Sequence, residues 1–369
     1  MKRVLVLGPV PPPYGGIASV MQSLLRSNLK RQYHLESFER QSVLPDGYNS
    51  FFWRNVFRLR RFISFLKKIF PKKYDLVHIH SDFNGGFPGT IVFMILTRIA
   101  GVNLLLHLHG TDWHFWHTNR PWLRRFRNEL AFRIPHAIVV LYGLWKEELL
   151  SLIPTQQVHV VGNAIEDVPK PRVQDVESIK AQLGITDEHF VILTVGFVGR
   201  RKGALDTLCA VPELVRDNPG LKFVFVGGEE FPGESLPVQE KIRMDRLEPW
   251  VELVGEVPRS MVPLYLACAD VFLLPSRQEG MPIAVIEALR AGLPVVVSRV
   301  GAMPEMVEDG NTGILIDPEK PEDIVQAIRS LVDNPQLRAS LAQNGRTLFE
   351  RQYEVGACVQ KISAIYESI

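Results

Sequence analysis

The sequence is short of cysteine and of long apolar runs, and both shortages narrow the class of protein. Its three cysteines are odd in number and show no C-x-x-C spacing, so neither a disulfide framework nor a cysteine metal site is expected. No stretch approaches the roughly 18 apolar residues of a membrane span. Strand-like sequence begins at residue 3, and we expect no secretory leader and a cytoplasmic location.

Two chemical fingerprints are also missing. The glycine-rich turn at 196–203 matches neither G-x-G-x-x-G nor the Walker pattern, which disfavours a Rossmann oxidoreductase. No D-x-D cluster occurs that could hold a divalent ion beside phosphates. We therefore expect a protein that requires no metal and no cofactor.

The charge of the chain is unevenly distributed. Residues 1–167 carry 21 Lys and Arg against 11 Asp and Glu, a net charge of +10. Residues 168–369 carry 21 against 29, a net charge of −8. A basic first half favours anionic partners, such as a membrane surface, a nucleic acid or a phosphorylated substrate.

Short apolar runs alternate with helical patterns along the chain, which is typical of doubly wound parallel sheets. Strands are expected at 3–8, 76–81, 103–110, 137–141, 191–196, 222–228, 271–276 and 294–298, and helices at 16–29, 204–216 and 322–334. The Pro-rich segment 169–178 is the expected linker. We predict two Rossmann-like α/β domains facing a cleft, with ligands at the carboxyl ends of the strands.

Two carboxylates stand in apolar surroundings in SRQEGMPIAVIEALRAGLPVVVS, residues 276–298. Charges are rare in such company unless they are paired. In one interpretation Glu279 and Glu287 bracket a ligand. In the other, Glu279 caps the helix and Glu287 pairs with an arginine on a neighbouring element.

The same segment contains a predicted helix start. Pro282 suits the first position of a helix, and the amides of Gly280 and Met281 would then lie at its N-terminus. Such a terminus attracts anions through its unpaired amides and the helix dipole. We expect a phosphate there.

A cationic turn follows the predicted strand in VGFVGRRKGALD, residues 195–206. Arg200, Arg201 and Lys202 crowd a strand-to-helix junction, where a diphosphate would supply the missing counter-charge. A solvated basic loop is the alternative interpretation.

Two more turns follow predicted strands in the first half. Gly15 and Gly16 precede a helix, and glycine there permits close approach of the backbone to a phosphate or sugar. In HLHGTDWH, which begins at His107, we interpret His109 and Asp112 as hydrogen-bonding groups facing a sugar. Metal ligation is an alternative for this histidine-rich segment, and a buried structural role is one for His107.

These segments, in this order, resemble the retaining glycosyltransferases of the GT-B fold, specifically glycosyltransferase family 4. The resemblance covers nearly the whole chain, through HGTD, GNAIE, RKG, EGMPIAVIEALRAGLPVVVS and NTGILIDPEKPEDIVQAI, and the E-x7-E spacing is its most specific part. It implies an acceptor-side domain at 1–167, a donor-binding domain at 168–350, and a helix at 351–369 that crosses back to the first domain.

The resemblance also assigns residues. It places the donor site at Gly16, Arg201, Lys202, Glu279, Gly280, Met281 and Glu287. It makes His109, Glu279 and Lys202 catalytic and puts Gly15 and Asp112 on the acceptor or sugar side.

Individual roles follow from the same resemblance. Glu279 would contact hydroxyls of the donor sugar, Glu287 the ribose and Lys202 the diphosphate, while His109 would lie near the reacting carbon. The family commonly has an arginine where this chain has Phe197. Either Arg200 or Arg201 would replace it from a shifted position, or the diphosphate would be held less tightly. Of these we favour Arg201.

The implied reaction moves a sugar, with retained configuration, from a UDP-sugar or, second, a GDP-sugar to a glycan or lipid-linked acceptor. Bacterial surface polysaccharide assembly would suit such an enzyme. Cations would stabilise the leaving diphosphate. The alternatives are an epimerase or phosphorylase of the same fold, and a nucleotide- or nucleic-acid-binding regulator with steep salt dependence. We expect no nucleic-acid partner.

The segment 51–73 holds eight Lys and Arg and no acid. At about 100° per residue, one stripe contains Phe52, Val56, Leu59, Ile63, Leu66 and Phe70. The opposite stripe contains Arg54, Arg58, Arg61, Lys68 and Lys72. Such a helix suits an anionic membrane interface, and we expect peripheral binding to the inner face of the membrane. The alternative is an ordinary helix whose apolar stripe packs on the sheet.

Overall fold

The chain forms two compact units, each described here by itself. One unit is Met1–Glu166 together with Val355–Ile369, and the other is Asp167–Glu354. The division expected from the sequence lay after residues 167 and 350. The computed structural model describes residues 1–9, 16–39, 51–70, 72–82, 86–110 and 121–369.

The first unit is built on a six-stranded parallel sheet with the order β2-β1-β3-β4-β5-β6. Its strands are β1 (Arg3–Gly8), β2 (His34–Glu39), β3 (Leu76–Ser81), β4 (Asn103–Leu108), β5 (Ala137–Val140) and β6 (Gln157–Val160). Its first helices are α1 (Gly16–Arg26), α2 (Leu29–Gln32), α3 (Phe51–Ile69), α4 (Phe87–Ile99), α5 (Trp122–Ala131) and α6 (Gly143–Leu152).

The second unit has a parallel sheet with the order β12-β11-β10-β7-β8-β9. Its strands are β7 (Phe190–Val195), β8 (Leu221–Val226), β9 (Val251–Gly255), β10 (Val271–Leu274), β11 (Val295–Ser298) and β12 (Ile314–Ile316). Its helices are α7 (Val173–Gln182), α8 (Ala204–Asp217), α9 (Leu236–Met244), α10 (Val262–Ala267), α11 (Ile283–Ala291), α12 (Met303–Met306), α13 (Pro321–Asp333) and α14 (Pro335–Leu348). Short 3-10 turns lie at Arg200–Lys202 and Arg259–Met261, and a π-helical turn lies at Phe349–Tyr353.

The last helix, α15 (Val355–Ser368), returns to the first unit. It packs with α1 over one face of the first sheet, where Leu24, Ile362 and Tyr366 are buried against Leu105 of β4. The Tyr366 hydroxyl hydrogen-bonds to Nδ1 of His78 at 2.8 Å. The C-terminus therefore completes the core of the unit in which the chain begins.

The central strands of both sheets are continuous apolar runs because helices cover both faces. Every position of β10 and β11 is buried, for example. All eight expected strands are present, with ends that differ by up to two residues. The expected fold class of two doubly wound parallel sheets is confirmed.

The four strands that the sequence pattern missed are β2, β6, β9 and β12, and each of them lies at the edge of a sheet. An edge strand has a neighbour on one side only and is less completely covered. β2 is mostly half-buried or exposed, and β9 has a single buried position. Their apolar signal is correspondingly weak.

The expected linker at 169–178 is wrong for most of its length. Helix α7 begins at Val173 and takes up the rest of that segment. Asp175 lies in the first helical turn, where its charge complements the helix dipole. Composition suggested a linker because Pro169 and Pro171 stand just before the helix.

Helix α3 packs on the rest of the first unit through a face other than the apolar stripe seen in the sequence. Phe65 and Ile69 are fully buried, and the Phe65 ring lies 5.0 Å from that of Phe93 in α4. The expected apolar stripe faces outward, with Phe52 66%, Leu59 60%, Ile63 44% and Phe70 45% exposed. The alternative of an apolar stripe packed on the sheet is therefore wrong for these side chains.

Among the described residues, no helix is both long enough and apolar enough to cross a lipid bilayer.

Candidate active site

The order of the second sheet reverses beside β7. From β7 the chain continues through β8 to β9 on one side, and it then returns to place β10 on the other side. The loops after β7 and β10 consequently leave the same end of two adjacent strands. In open α/β sheets, ligands bind outside the carboxyl ends of the strands at such a switch point. The cationic turn follows β7, and the Glu279 loop follows β10.

Lys202 and Glu279 meet at this switch point. The Lys202 ammonium forms a hydrogen-bonded ion pair with Oε1 of Glu279. The Ser276 hydroxyl donates to the same carboxylate oxygen at 2.7 Å. The Glu279 side chain is only 5% exposed and that of Lys202 is 13% exposed. Each charge therefore provides the counter-charge that the other needs at this depth.

The rest of the cationic turn is fixed by acids and backbone. Arg201 donates from Nε to Glu230 at 2.6 Å and from Nη1 to the carbonyl of Gln278 at 3.4 Å. The Arg277 amide donates to the Arg201 carbonyl at 2.8 Å. Arg200 is exposed. The alternative of a fully solvated basic loop is therefore wrong for Arg201 and Lys202.

Sequence reasoning missed a bidentate ion pair that joins the two loops. Arg277 donates from Nε and Nη2 to the carboxylate of Asp206 at 3.0 and 2.7 Å, and Arg277 also contacts Glu319 at 2.9 Å. Asp206 lies in the first turn of α8. The pair fastens the β10 loop to the helix that follows the cationic turn. The sequence did not single out Asp206 as a partner of Arg277 because acids are common in the first turn of a helix.

The backbone of the Glu279 loop is held from the other side by Gly301 and Ala302. The Ala302 amide donates to the Gly280 carbonyl at 2.8 Å. A Cβ at position 301 would lie 2.2 Å from the Glu279 carbonyl oxygen, so only glycine fits there. Met281 is 8% exposed. The loop that carries the predicted donor contacts is thus closely packed.

Glu287 has the arginine partner that one interpretation of the sequence required. Nη2 of Arg259 contacts its Oε1 at 3.1 Å, which leaves the second carboxylate oxygen outside this ion pair. Burial lowers the pKa of Arg290, one turn further along α11, while the charge of Glu287 opposes that shift. Helix α11 begins at Ile283 after Pro282, and no side chain caps it. Glu279 is therefore not its cap, and Pro282 precedes the helix.

Of the four site residues predicted in the first unit, the structure describes two, Gly16 and His109. Gly16 is the first residue of α1, and a Cβ there would meet no described atom within 4 Å. His109 follows β4 and is 3% exposed. Its Nε2 lies 2.8 Å from Nδ1 of His80. Gly15 and Asp112 lie outside the described residues.

Burial keeps four histidines of this unit, His78, His80, His107 and His109, uncharged. It lowers the pKa of His109 to about 3 and that of His78 to about 3. The pKa of His80 and that of His107 also fall well below the ordinary value, with burial as the largest cause. Because a neutral imidazole is the form present at pH 7, His109 offers hydrogen bonds there and carries no charge.

Comparison with known proteins extends over both units. A model described as Glycosyltransferase Family 4 matches residues 15–167, and one described as Glycosyl transferases group 1 matches residues 175–348. A kanosaminyltransferase of Streptomyces kanamyceticus is 27% identical over 79% of this chain and 77% of its own. A galactosyltransferase of Escherichia coli, named for UDP-Gal and GlcNAc-diphosphoundecaprenol, is 28% identical over 90% of this chain and 87% of its own.

Solved structures agree in fold. HepE of Anabaena, in complex with UDP and glucose, matches with a TM-score of 0.78 and 21% identity over 100% of both chains. The two parallel sheets and their helices thus have the GT-B fold, and the two matching family models make the chain a glycosyltransferase. The chain belongs to glycosyltransferase family 4, with the group 1 domain in its second unit.

The cationic turn depends on Gly203, which has a φ of +75°, and a Cβ there would lie 2.0 Å from the Pro275 carbonyl oxygen. We expect Gly203→Ala to cost the positive-φ penalty of about 1–2 kcal/mol and a further roughly 1–3 kcal/mol of overpacking. Gly184→Ala is the matched control because Gly184 has a φ of +62° and open space around it. Thermal unfolding of the three proteins measures the difference, and equal losses of stability would show that Pro275 yields.

Proposed function

We propose that the chain transfers a sugar, with retained anomeric configuration, from a UDP-sugar to a hydroxyl of a lipid-linked acceptor at an anionic membrane surface. The observation that carries the donor half of this proposal is the contact between Lys202 and Glu279 at the switch point of the second sheet. The E. coli relative is named for UDP-Gal, and HepE was solved with UDP. Both support UDP ahead of GDP.

In the proposed donor site, four charged side chains of the second unit contact the donor. Lys202 and Arg201 bind the diphosphate, Glu279 accepts hydrogen bonds from sugar hydroxyls, and Glu287 accepts from the ribose. The amides of Gly280 and Met281 contact the sugar and phosphate. When the bond from the sugar to the diphosphate breaks, negative charge grows on the leaving group, and fixed cations stabilise it. In this proposal they act in place of a metal ion.

The ion pair between Lys202 and Glu279, as it stands without a donor, suits the binding of a diphosphate and a sugar. Lys202 rests against Glu279 in the structure, so neither buried charge is unpaired before the donor arrives. A diphosphate would compete with Glu279 for the ammonium, and sugar hydroxyls would compensate the carboxylate. Binding would therefore exchange one set of charge-assisted hydrogen bonds for another. Roles for Gly16, His109, Gly15 and Asp112 stay predictions from the resemblance.

Nucleotide binding tests the assignment of Glu287. We expect UDP to raise the thermal unfolding temperature without added divalent ion, and Glu287→Gln to weaken its Kd roughly 10- to 100-fold. A hydrogen bond to a charged group contributes about 1.5–3 kcal/mol. Calorimetry with UDP, GDP and their sugars gives both quantities.

Arg259→Ala is the control for that measurement, because it removes the ion pair and keeps the carboxylate. We expect it to bind UDP within a few-fold of the parent protein. Equal losses of UDP affinity in both variants would show that Glu287 acts only through its ion pair with Arg259. A protein that no nucleotide stabilises would end the donor assignment.

The leaving-group role of Lys202 is tested by rate. We expect Lys202→Gln to lower the rate of UDP release from the donor by about 10²–10³. Arg201→Gln should lose more activity than Arg200→Gln, because Arg201 is fastened to the Glu279 loop and Arg200 is exposed. The reverse order would transfer the arginine role to Arg200. Analysis of the released sugar distinguishes transfer from the epimerase or phosphorylase alternative.

The acceptor half of the proposal depends on the outer surface of α3 and α4, here called the α3–α4 surface. It consists of exposed apolar side chains flanked by exposed cations: Phe52, Leu59, Ile63, Phe70, Val92, Ile95 and Ile99, with Arg60 and Lys67. The helices lie side by side because Phe62 and Phe65 of α3 pack on Phe93 of α4, with centroids 4.9 and 5.0 Å away.

Two cations of the basic stripe described in the sequence analysis form ion pairs within the first unit. Arg61 contacts Glu39 at 3.1 Å and Lys68 pairs with Glu36, both in β2. Arg60 and Lys67 are exposed instead. An outward apolar stripe with cations beside it fits the interface of an anionic bilayer, where the apolar groups enter the headgroup boundary and the cations meet phosphates.

Vesicle binding tests the α3–α4 surface. We expect the protein to sediment with vesicles that contain anionic phosphatidylglycerol more than with neutral ones. Arg60→Glu with Lys67→Glu should weaken that binding roughly 30-fold or more, since each cation near the surface contributes about 1 kcal/mol. Leu59→Ser with Ile63→Ser should weaken it without changing the net charge.

A charge-matched control lies in the second unit, where Arg216 and Arg243 are exposed. Reversing both to Glu changes the net charge of the protein by the same amount and should leave vesicle binding nearly unchanged. If this control loses as much binding as the α3 variant, attraction is unspecific and the surface is wrongly assigned.

A further inference from the structure

Four histidines form a ladder on one face of the first sheet. His78 and His80 are two residues apart in β3, and His107 of β4 is the register partner of His80. His109 follows two residues later. The exposed fractions of the four residues are 0%, 0%, 2% and 3%. Because side chains two residues apart share a face, all four lie under α1 and α15.

Several ring nitrogens of this ladder lack a hydrogen-bond partner among the described residues. Nδ1 of His78 is bonded to the Tyr366 hydroxyl, and Nδ1 of His80 to Nε2 of His109, each at 2.8 Å. Nε2 of His78, Nε2 of His80 and both nitrogens of His107 are buried without partners. An unsatisfied buried polar group costs about 1–3 kcal/mol, so four of them in one place indicate a missing ligand.

One ring nitrogen from each of His78, His80 and His107 lies within 4.8 Å of the other two. Neutral imidazole is a ligand for zinc and its neighbours in the transition series, whereas Mg²⁺ and Ca²⁺ prefer oxygen. We propose that His78, His80 and His107 bind one Zn²⁺ ion, which joins the first sheet to the C-terminal helix. The three histidines belong to the first unit, whereas Lys202 and Glu279 belong to the second.

The surrounding hydrogen bonds suit this assignment. Metal-bound histidines commonly donate their second ring N–H to an outer partner, which fixes the tautomer. If Nε2 of His78 and of His80 bind the ion, each Nδ1 carries a proton. His78 then donates to Tyr366, and His80 donates to His109. Tyr366 and His109 would orient the ligands, and Tyr366 ties the ion to α15.

A small cavity with an apolar lining lies beside the ladder. A cavity of about 10 Å³ is lined by His80 and His107 together with Ser23 and Cys358. That volume is close to the size of one water molecule. A single water can bond to only part of the unpaired nitrogen set, whereas an ion would use one lone pair from each of three rings.

Ion binding requires the rings to turn. His78 and His107 are nearly parallel, with an interplanar angle of 6°, so their lone pairs do not yet converge. Tetrahedral Zn²⁺ with Zn–N of about 2.0–2.1 Å needs nitrogens about 3.3 Å apart. Histidine rings rotate readily about χ2 because that torsion has broad minima. The ligands can therefore close around an ion while β3 and β4 stay in register, provided that Tyr366 and His109 move with the rings to which they are bonded.

Metal titration tests the proposal on the full chain without a histidine tag. After treatment with a chelator, we expect one equivalent of Co²⁺ to bind and to give the visible absorption of a tetrahedral nitrogen-ligated ion, which Zn²⁺ then abolishes. Zn²⁺ should raise the unfolding temperature by roughly 5 °C. UDP binding is measured on the same metal-free protein, so that failure of the donor site is seen separately.

Variants locate the ion. His80→Asn and His107→Leu should each lower Co²⁺ affinity at least 100-fold, while His34→Ala, an exposed histidine of β2, should leave it unchanged. Circular dichroism checks that the variants fold, and the spectrum of the parent protein decides the question if they do not. The proposal is overturned if the parent binds no metal, if its Co²⁺ spectrum is octahedral, or if both variants bind as tightly as the parent.

Discussion

Buried charge at the carboxyl ends of parallel strands is the constraint on which this structure depends. Lys202 and Glu279 are both largely withdrawn from water and are stable there because they contact each other and Ser276. A buried ion pair contributes little net stability, because desolvation offsets most of the attraction. The position of the pair at the switch point is therefore consistent with the donor site proposed above.

The same constraint explains the neighbouring pairs. Arg277 holds Asp206 with two hydrogen bonds, and Arg201 holds Glu230 and the Gln278 carbonyl. These contacts join the loops after β7 and β10 and fix the position of the Lys202 turn. Gly301 permits the close packing that holds the Glu279 loop from behind. The turn that carries the long, flexible side chain of Lys202 is thus held in place by contacts between its neighbours.

The sequence predicted what depends on local pattern and missed what depends on tertiary neighbours. Central strands were recognisable because both of their faces are covered, whereas β2, β6, β9 and β12 lie at sheet edges and read weakly. In α3 the apolar stripe of the sequence is the exposed one, because Phe65 and Ile69 pack on the core. Arg259 and Tyr366 could not have been assigned as partners of Glu287 and His78, since only the fold brings them together.

The ion pair of Lys202 with Glu279 and the histidine ladder differ in whether their polar groups can find partners without a ligand. In the second unit, opposite charges neutralise each other, so the site can be fully paired before a donor binds. In the first unit, four neutral imidazoles face one another, and neutral rings have no charge with which to compensate a neighbour. Hydrogen bonds join His80 to His109 and His78 to Tyr366, but Nε2 of His78, Nε2 of His80 and both nitrogens of His107 have no partner among the described residues. In the site proposed above, a cation would supply what the imidazole ladder lacks, just as an anion would supply a new partner for Lys202.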